Sequence, residues 1–179
     1  MMHHELTIAG FGGQGILFAG KVIAHAAMDI GMNISWLPSY GPEMRGGTAN
    51  CQVVLSDEPI GSPIITKPDM LMVMNLPSLD KFEQTVKTGG TILLDSFYID
   101  KKVEREDVTA IYIPAKRIAE EVGDGRLGNM VMVGHFIRRF EEIPLEEIEQ
   151  SMRRNISKSK ADLAEINIKM LEAGYNFKG

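Results

Sequence analysis

The sequence predicts an α/β fold: a single Rossmann-like three-layer domain over residues 1–179, with a mostly parallel sheet that one antiparallel pair would make mixed, and a long C-terminal helix. Three observations lead there. The apolar run Leu6-Thr7-Ile8-Ala9 stops at Gly10-Phe11-Gly12-Gly13-Gln14-Gly15 and gives way to a helical pattern from Ile16. That order of strand, glycine turn and helix is the context a phosphate-cradling loop requires. The nearly all-apolar runs Met70 to Met74 and Thr91 to Leu94 read as central strands covered on both faces. From Pro144 onward, Leu145, Ile148, Met152, Ile156, Leu163, Ile166 and Met170 recur at helical steps, the signature of one apolar helix face.

The remaining elements follow from spacing and punctuation. Ile16, Ala19, Gly20, Ile23, Ala26 and Ala27 make a helix of small residues that ends near Gly31, so another layer can approach it closely. Ile34 to Leu37 is the second strand, and Thr48 to Leu55 the third, with Ala49, Cys51, Val53 and Leu55 on one face. A short β-like element is expected at Ile64-Ile65, after a proline- and glycine-rich turn. Pro77 opens a helix carrying Leu79, Phe82 and Val86, closed by Gly89-Gly90, since proline suits a first turn and glycine a terminus. Thr109 to Ile113 is a strand, Ala115 to Val122 a short helix and Asn129 to Phe140 a further helix.

Composition narrows the function classes. A formal net charge of -5 gives no general attraction for nucleic acid or anionic lipid. No apolar run approaches the length of a membrane span, so no membrane partner, anchor or signal segment is expected. The single cysteine, Cys51, excludes an internal disulfide and an iron–sulfur cage built by this chain alone; a reducing, cytoplasmic setting fits. His3 and His4 read as polar residues rather than a metal pair, and His135 as packed or exposed rather than catalytic. With no HExxH arrangement, no metal site is expected. The glycine loop lacks a following Lys-Ser/Thr pair, which removes support for ATP hydrolysis. No residue is assigned a catalytic role.

Two stretches remain as candidate site. Gly10, Gly12 and Gly15 fit the dinucleotide fingerprint, but the acid expected after the second strand is missing: Ile34 to Leu37 ends in Pro38-Ser39, and Asp29 lies before that strand. The loop therefore serves close strand–helix packing, an anion or cofactor, or, least supported, NAD. The second stretch, Pro38-Ser39-Tyr40-Gly41-Pro42-Glu43-Met44-Arg45-Gly46-Gly47, excludes regular structure. Its polar groups stand beside the glycine loop if the first two strands are parallel neighbours. Glu43 and Arg45 either bind a ligand, pin their own loop or meet another chain. Asn75 and Asp95-Ser96, at strand ends, either face a ligand or cap a turn or helix.

These two stretches, with Asn50-Cys51, Gly128-Asn129 and the closing helix, resemble the gamma subunit of 2-oxoacid:ferredoxin oxidoreductases over Glu5 to about Gly174. The SYGPEMRGG stretch is more similar to the 2-oxoglutarate and branched-chain members than to the pyruvate members. The resemblance implies a coenzyme A-dependent oxidative decarboxylation of 2-oxoglutarate, or next 2-oxoisovalerate, to acyl-CoA, carbon dioxide and reduced ferredoxin. It implies an assembly with alpha and beta subunits and an iron–sulfur delta subunit or equivalent, which carries thiamine diphosphate, magnesium and iron–sulfur clusters; this chain alone holds none of these and would be inactive by itself. Carried onto this sequence, the implied cofactor-binding set is Gly12, Gly13, Gln14, Gly15, Ser39, Tyr40, Glu43 and Arg45. The glycines would allow close approach of coenzyme A, Gln14 would offer an amide, and Arg45, oriented by Glu43, would recognise an anion or a subunit interface. A noncatalytic nucleotide-binding or scaffold module is the alternative, and an independent NAD-dependent oxidoreductase the weaker one.

Overall fold

The computed structural model describes residues 1–39 and 48–179. Among these residues six strands form one sheet: β1 (His3–Phe11), β2 (Asn33–Ser39), β3 (Thr48–Ser56), β4 (Met70–Val73), β5 (Thr91–Asp95) and β6 (Thr109–Ile113). Their order is β2-β3-β1-β4-β5-β6. β1, β4, β5 and β6 pair in parallel, whereas β3 lies antiparallel to both β1 and β2. The sheet is therefore mixed, as expected, but through the two pairs that β3 makes with β1 and β2. Ile64-Ile65 is not a strand: the Gln52 side chain donates to the Ile65 carbonyl and accepts from its N–H, at 2.8 and 2.9 Å, and so satisfies that backbone without a ladder. The first two strands also run in one direction without being neighbours, because β3 occupies the place between them.

The helices are α1 (Ile16–Asp29), α2 (Leu76–Phe82), α3 (Ala115–Val122), α4 (Gly128–Arg139), α5 (Leu145–Asn155) and α6 (Ala161–Asn176). Side-chain alternation divides them between two faces of the sheet. Leu6, Ile8, Cys51, Val53, Leu55, Met72, Leu93, Ile111 and Ile113 form one core with residues of α1, α3, α4, α5 and α6. Ala9, Leu71, Val73, Ile92 and Leu94 form a second with Leu79, Val86 and Ile99. Thr48–Ser56 buries Ala49, Cys51, Val53 and Leu55, the face its alternation marks. α1 ends in a C-terminal motif, with Gly31 N–H donating to Met28 and Met32 N–H to Ala27. Its small residues let it lie on β3: a methyl on Gly20 would stand 2.5 Å from Cys51 Sγ. Burial pushes the Cys51 thiol up to about 12, so it is a core residue and not a nucleophile.

α4 and α6 cross with their backbones in contact. A methyl on Gly134 would lie 2.0 Å from the Leu171 carbonyl oxygen, and one on Gly174 1.9 Å from that of Val131. His135 is buried there, its Nδ1 3.2 Å from the Gly174 carbonyl; burial lowers its pKa, which favours the neutral ring.

The closing segment departs from the single helix its spacing predicts. The helix stops at Asn155, a short 3-10 turn occupies Lys158–Lys160, and α6 begins at Ala161 with sixteen residues. The reason is visible in Ser157-Lys158-Ser159-Lys160, where no apolar residue carries the stripe forward. α6 consequently restarts in a different rotation: Leu163 is 46% exposed, while Ala164, Asn167, Ile168, Met170, Leu171 and Gly174 are buried. Arg153 ties the two helices, donating to Glu165 across the break at 2.9 Å.

Candidate functional site

The carboxyl ends of β1, β4 and β5 open onto the glycine loop, the start of α2 and the turn after Asp95. Gly13 and Gly15 have φ of 93° and 72°, a region that L side chains enter only with strain. Gly15 stands at the N-cap of α1, and no side chain caps the helix. Its first-turn N–H groups are thus left for an incoming acceptor. Gln14 fixes the loop: its Oε1 accepts from the Phe11 N–H at 2.7 Å and its Nε2 donates to the Met74 carbonyl at 2.9 Å. The amide is engaged at both ends, so Gln14 holds the loop to the end of β4. Asn129, 114 residues further along the chain, supports it from below by donating to the Gly15 carbonyl at 3.1 Å. A methyl on Gly15 would meet that Asn129 amide at 2.3 Å, whereas nothing stands within 4 Å of one on Gly13.

Beside the loop is a cleft of about 360 Å³ whose walls include Gly13, Gln14, Asp95, Tyr98, Lys116 and Arg126. Asp95 ends β5 and is fully buried. Its Oδ1 accepts from the Phe97 and Ala115 N–H groups, both at 3.0 Å, and thereby joins the end of β5 to the start of α3. Its Oδ2 is buried without a hydrogen-bond partner among the described residues. Burial pushes the carboxyl up to about 6, against the pull of those N–H groups and of Lys116. Lys116 pairs with Glu120, which raises its own pKa, and Arg126 pairs with Asp124. Asn75, the other strand-end residue, caps α2 by accepting from the Ser78 N–H at 2.9 Å.

Of the residues singled out by sequence, Gly12, Gly13, Gln14 and Gly15 come together in this loop. Ser39 lies exposed at the end of β2, in the row Ser39–Asn50–Ala9. It is two strand spacings, about 10 Å, from β1. Tyr40, Glu43 and Arg45 lie outside the described residues. Sequence reasoning named Asp95 and Gly128-Asn129 but passed over Lys116, Tyr98 and Arg126, which look like ordinary surface residues. The signal for them was proximity in the βα connections after β5 and β6, where ligand groups gather in such sheets.

Cys51 is one buried thiol, and among the described residues no group of three histidine, cysteine, aspartate or glutamate side chains is placed to hold a metal ion. No helix among them is long and apolar enough to cross a membrane.

The family model described as pyruvate ferredoxin/flavodoxin oxidoreductase matches residues 5–177. The ketoisovalerate oxidoreductase subunit VorA of Methanothermobacter marburgensis is 44% identical over 95% of this chain and 35% of its own length; the chain thus spans about a third of that relative. The 2-oxoglutarate synthase subunit KorC of Methanocaldococcus jannaschii is 36% identical over 97% of this chain and 93% of its own. A solved structure of a keto/oxoacid ferredoxin oxidoreductase gamma subunit from Geobacter sulfurreducens superposes with a TM-score of 0.85, at 26% identity, covering 98% of this chain and 95% of that one. The chain belongs to the pyruvate ferredoxin/flavodoxin oxidoreductase family, and its sequence is more similar to the ketoisovalerate and 2-oxoglutarate members than to the pyruvate members.

Proposed function

We propose that this chain, as one gamma-type unit over residues 1–179, serves a cytoplasmic assembly that oxidatively decarboxylates a 2-oxoacid. The products are acyl-CoA, carbon dioxide and reduced ferredoxin. The observation that carries this reading is the family match across residues 5–177. The assembly's other members are alpha and beta subunits and an iron–sulfur subunit, which hold the thiamine diphosphate, magnesium and clusters; among the described residues of this chain no group of three histidine, cysteine, aspartate or glutamate side chains is placed to hold a metal ion. Those cofactors supply the carbon–carbon cleavage and electron transfer. This chain's part is to present a rigid loop. The open N-terminus of α1, held by Gln14 and Asn129, suits the phosphates of coenzyme A. Ser39, Tyr40, Glu43 and Arg45 are assigned from the motif alone, with Arg45 meeting an anion or the adjoining subunit.

The identities favour 2-oxoisovalerate as substrate, with 2-oxoglutarate second, the reverse of the order suggested by the SYGPEMRGG stretch. Anaerobic purification of the native assembly, followed by coenzyme A-dependent ferredoxin reduction with 2-oxoisovalerate, 2-oxoglutarate and pyruvate, tests this. Turnover on one of the first two acids, with thiamine- and iron–sulfur-binding chains copurifying, is expected. A solitary chain that supports no acid on reconstitution overturns it. R45A is expected to weaken assembly or raise the coenzyme A requirement; no change in either removes the role of Arg45.

A further inference from the structure

One row of side chains on α1 is left uncovered. Phe18, Lys21, His25 and Met28 follow one another at steps of three, four and three residues, which places them in a line about 15 Å long on one side of the helix. Phe18 is 41% and Met28 51% exposed, and Lys21 is exposed between them. A hollow lies along each side of the row. One, of about 160 Å³, separates α1 from α5 and takes its apolar walls from Phe18, Val22, Met152 and Ile156. The other, of about 120 Å³, separates α1 from β2 and is walled by Met28, Ile34 and Trp36. β2 ends the sheet, so among the described residues no further strand lies beyond that side. A ridge with a groove on either flank is the relief into which a second helix packs.

The charges select the occupant. In a chain of net charge -5, neither hollow has a carboxylate in its walls, and both are bordered by Lys21 and His25. His25 Nδ1 is engaged with Asn155 Oδ1 at 3.0 Å, whereas Lys21 makes no ion pair among the described residues. Covering an ammonium group without a counter-charge is costly, so whatever covers this ridge brings a carboxylate. A second copy of the chain does not: two such ridges laid antiparallel set Lys21 against His25, with no acid between them. We propose that the ridge seats an acidic, amphipathic helix of a separate subunit of the assembly, its apolar residues in the two hollows and a carboxylate on Lys21. The inference rests on the function proposed above and names the kind of partner surface that function requires. VorA holds its counterpart of this domain within a chain about three times as long, whereas KorC consists of little else. Under that reading the other two-thirds comes here as separate polypeptides, and a separate polypeptide needs a seat on this domain.

The test uses the native assembly in two ways. Carbodiimide, which joins an amine to a carboxylate in direct contact, is applied to the purified complex, and the coupled peptides are identified by mass spectrometry. Lys21 is expected to be joined to an aspartate or glutamate of another polypeptide, on a segment whose apolar residues recur at helical steps. In the second arm, variant and wild-type chains are co-expressed with the rest of the assembly and their ratio in the purified complex is measured. K21E is expected to be incorporated about 10- to 100-fold less than wild type, and M28S about 10-fold less. L163S, at a side chain as exposed on α6 (46%), is expected to be incorporated equally. Thermal melts of the isolated variants should match wild type, because the altered side chains are exposed; M28S carries the test if K21E does not fold. Equal incorporation of K21E and M28S overturns the proposal. So does Lys21 coupled to a second copy of this chain, or not coupled at all, and so does a wild-type chain that copurifies with no other. Ferredoxin reduction does not enter either readout. A crosslinked complex with no 2-oxoacid activity therefore sinks the oxidoreductase function and spares the ridge, and an active complex indifferent to K21E and M28S does the opposite.

Discussion

The crossing of α4 with α6 and the strand-end cleft are both built around glycine, and they use it for opposite ends. At the crossing, the missing methyls of Gly134 and Gly174 are filled by the backbone of the facing helix, with Leu171 and Val131 carbonyls where a Cβ would be. At the cleft, the missing methyl of Gly13 leaves open space. One region closes on itself, and even its histidine finds a backbone partner. The other keeps an uncapped helix end and an unpaired carboxylate oxygen. Space emptied by glycine and filled by the chain itself serves stability; space left open beside unsatisfied polar groups marks where the molecule gives up stability for contact with something else.

The largest effect should come from closing the wrong space. G174A or G134A pushes a methyl into backbone that cannot rotate away, and each is expected to cost about 3 kcal/mol in urea unfolding. An effect within about 0.5 kcal/mol would show that the helices separate freely and would erase the contrast.

Asp95 sharpens the comparison next. Its ordinary value is 3.8 and its folded value about 6, so between those pH values the folded chain holds a proton that the unfolded chain has released. Stability contributed by the protonated form is therefore present at low pH and lost as the pH rises through that window, by up to about 3 kcal/mol. D95N should flatten the profile and unfold later than the wild type at pH 7.

The loop glycines separate strain from crowding. G15A forces φ of 72° on a Cβ and displaces Asn129, and is expected to cost about 2 kcal/mol. G13A carries the strain alone, about 1 kcal/mol. Equal losses in thermal melts would mean that the Asn129 contact contributes nothing.

Much of this architecture is local and was readable as such. Pro77, Gly31 and the alternation of Thr48 to Leu55 mark their elements by chemistry contained within a few residues. What escaped was set by partners far along the chain. Nothing near Thr48 says that β3 inserts beside β1, since pairing is a choice among distant strands; the insertion separates Ser39 from the glycine loop. The break at Ser157 was hidden because Leu163 continues the spacing arithmetically while facing solvent. At the site, the loop was legible from its glycines, whereas Asn129 arrives from α4 to support Gly15, and the open oxygen of Asp95 depends on what the neighbouring strands fail to supply. Tyr40, Glu43 and Arg45 were legible only as motif, and their roles rest on the proposal above.

The position of β1 also sets a timetable. It is made before both its neighbours: β3 completes at Ser56 and β4 at Val73. At a ribosomal rate of about 5–20 residues per second, roughly 3–12 s separate the end of β1 from the end of β4, which covers its second edge. Until β3 is made Leu6, Ile8 and Ala9 belong to a ladder with no rungs, and until β4 is made to one with rungs on one side only. The middle of the sheet thus has to wait for its flanks, since the strand at the centre is completed only by residues that follow it in the chain.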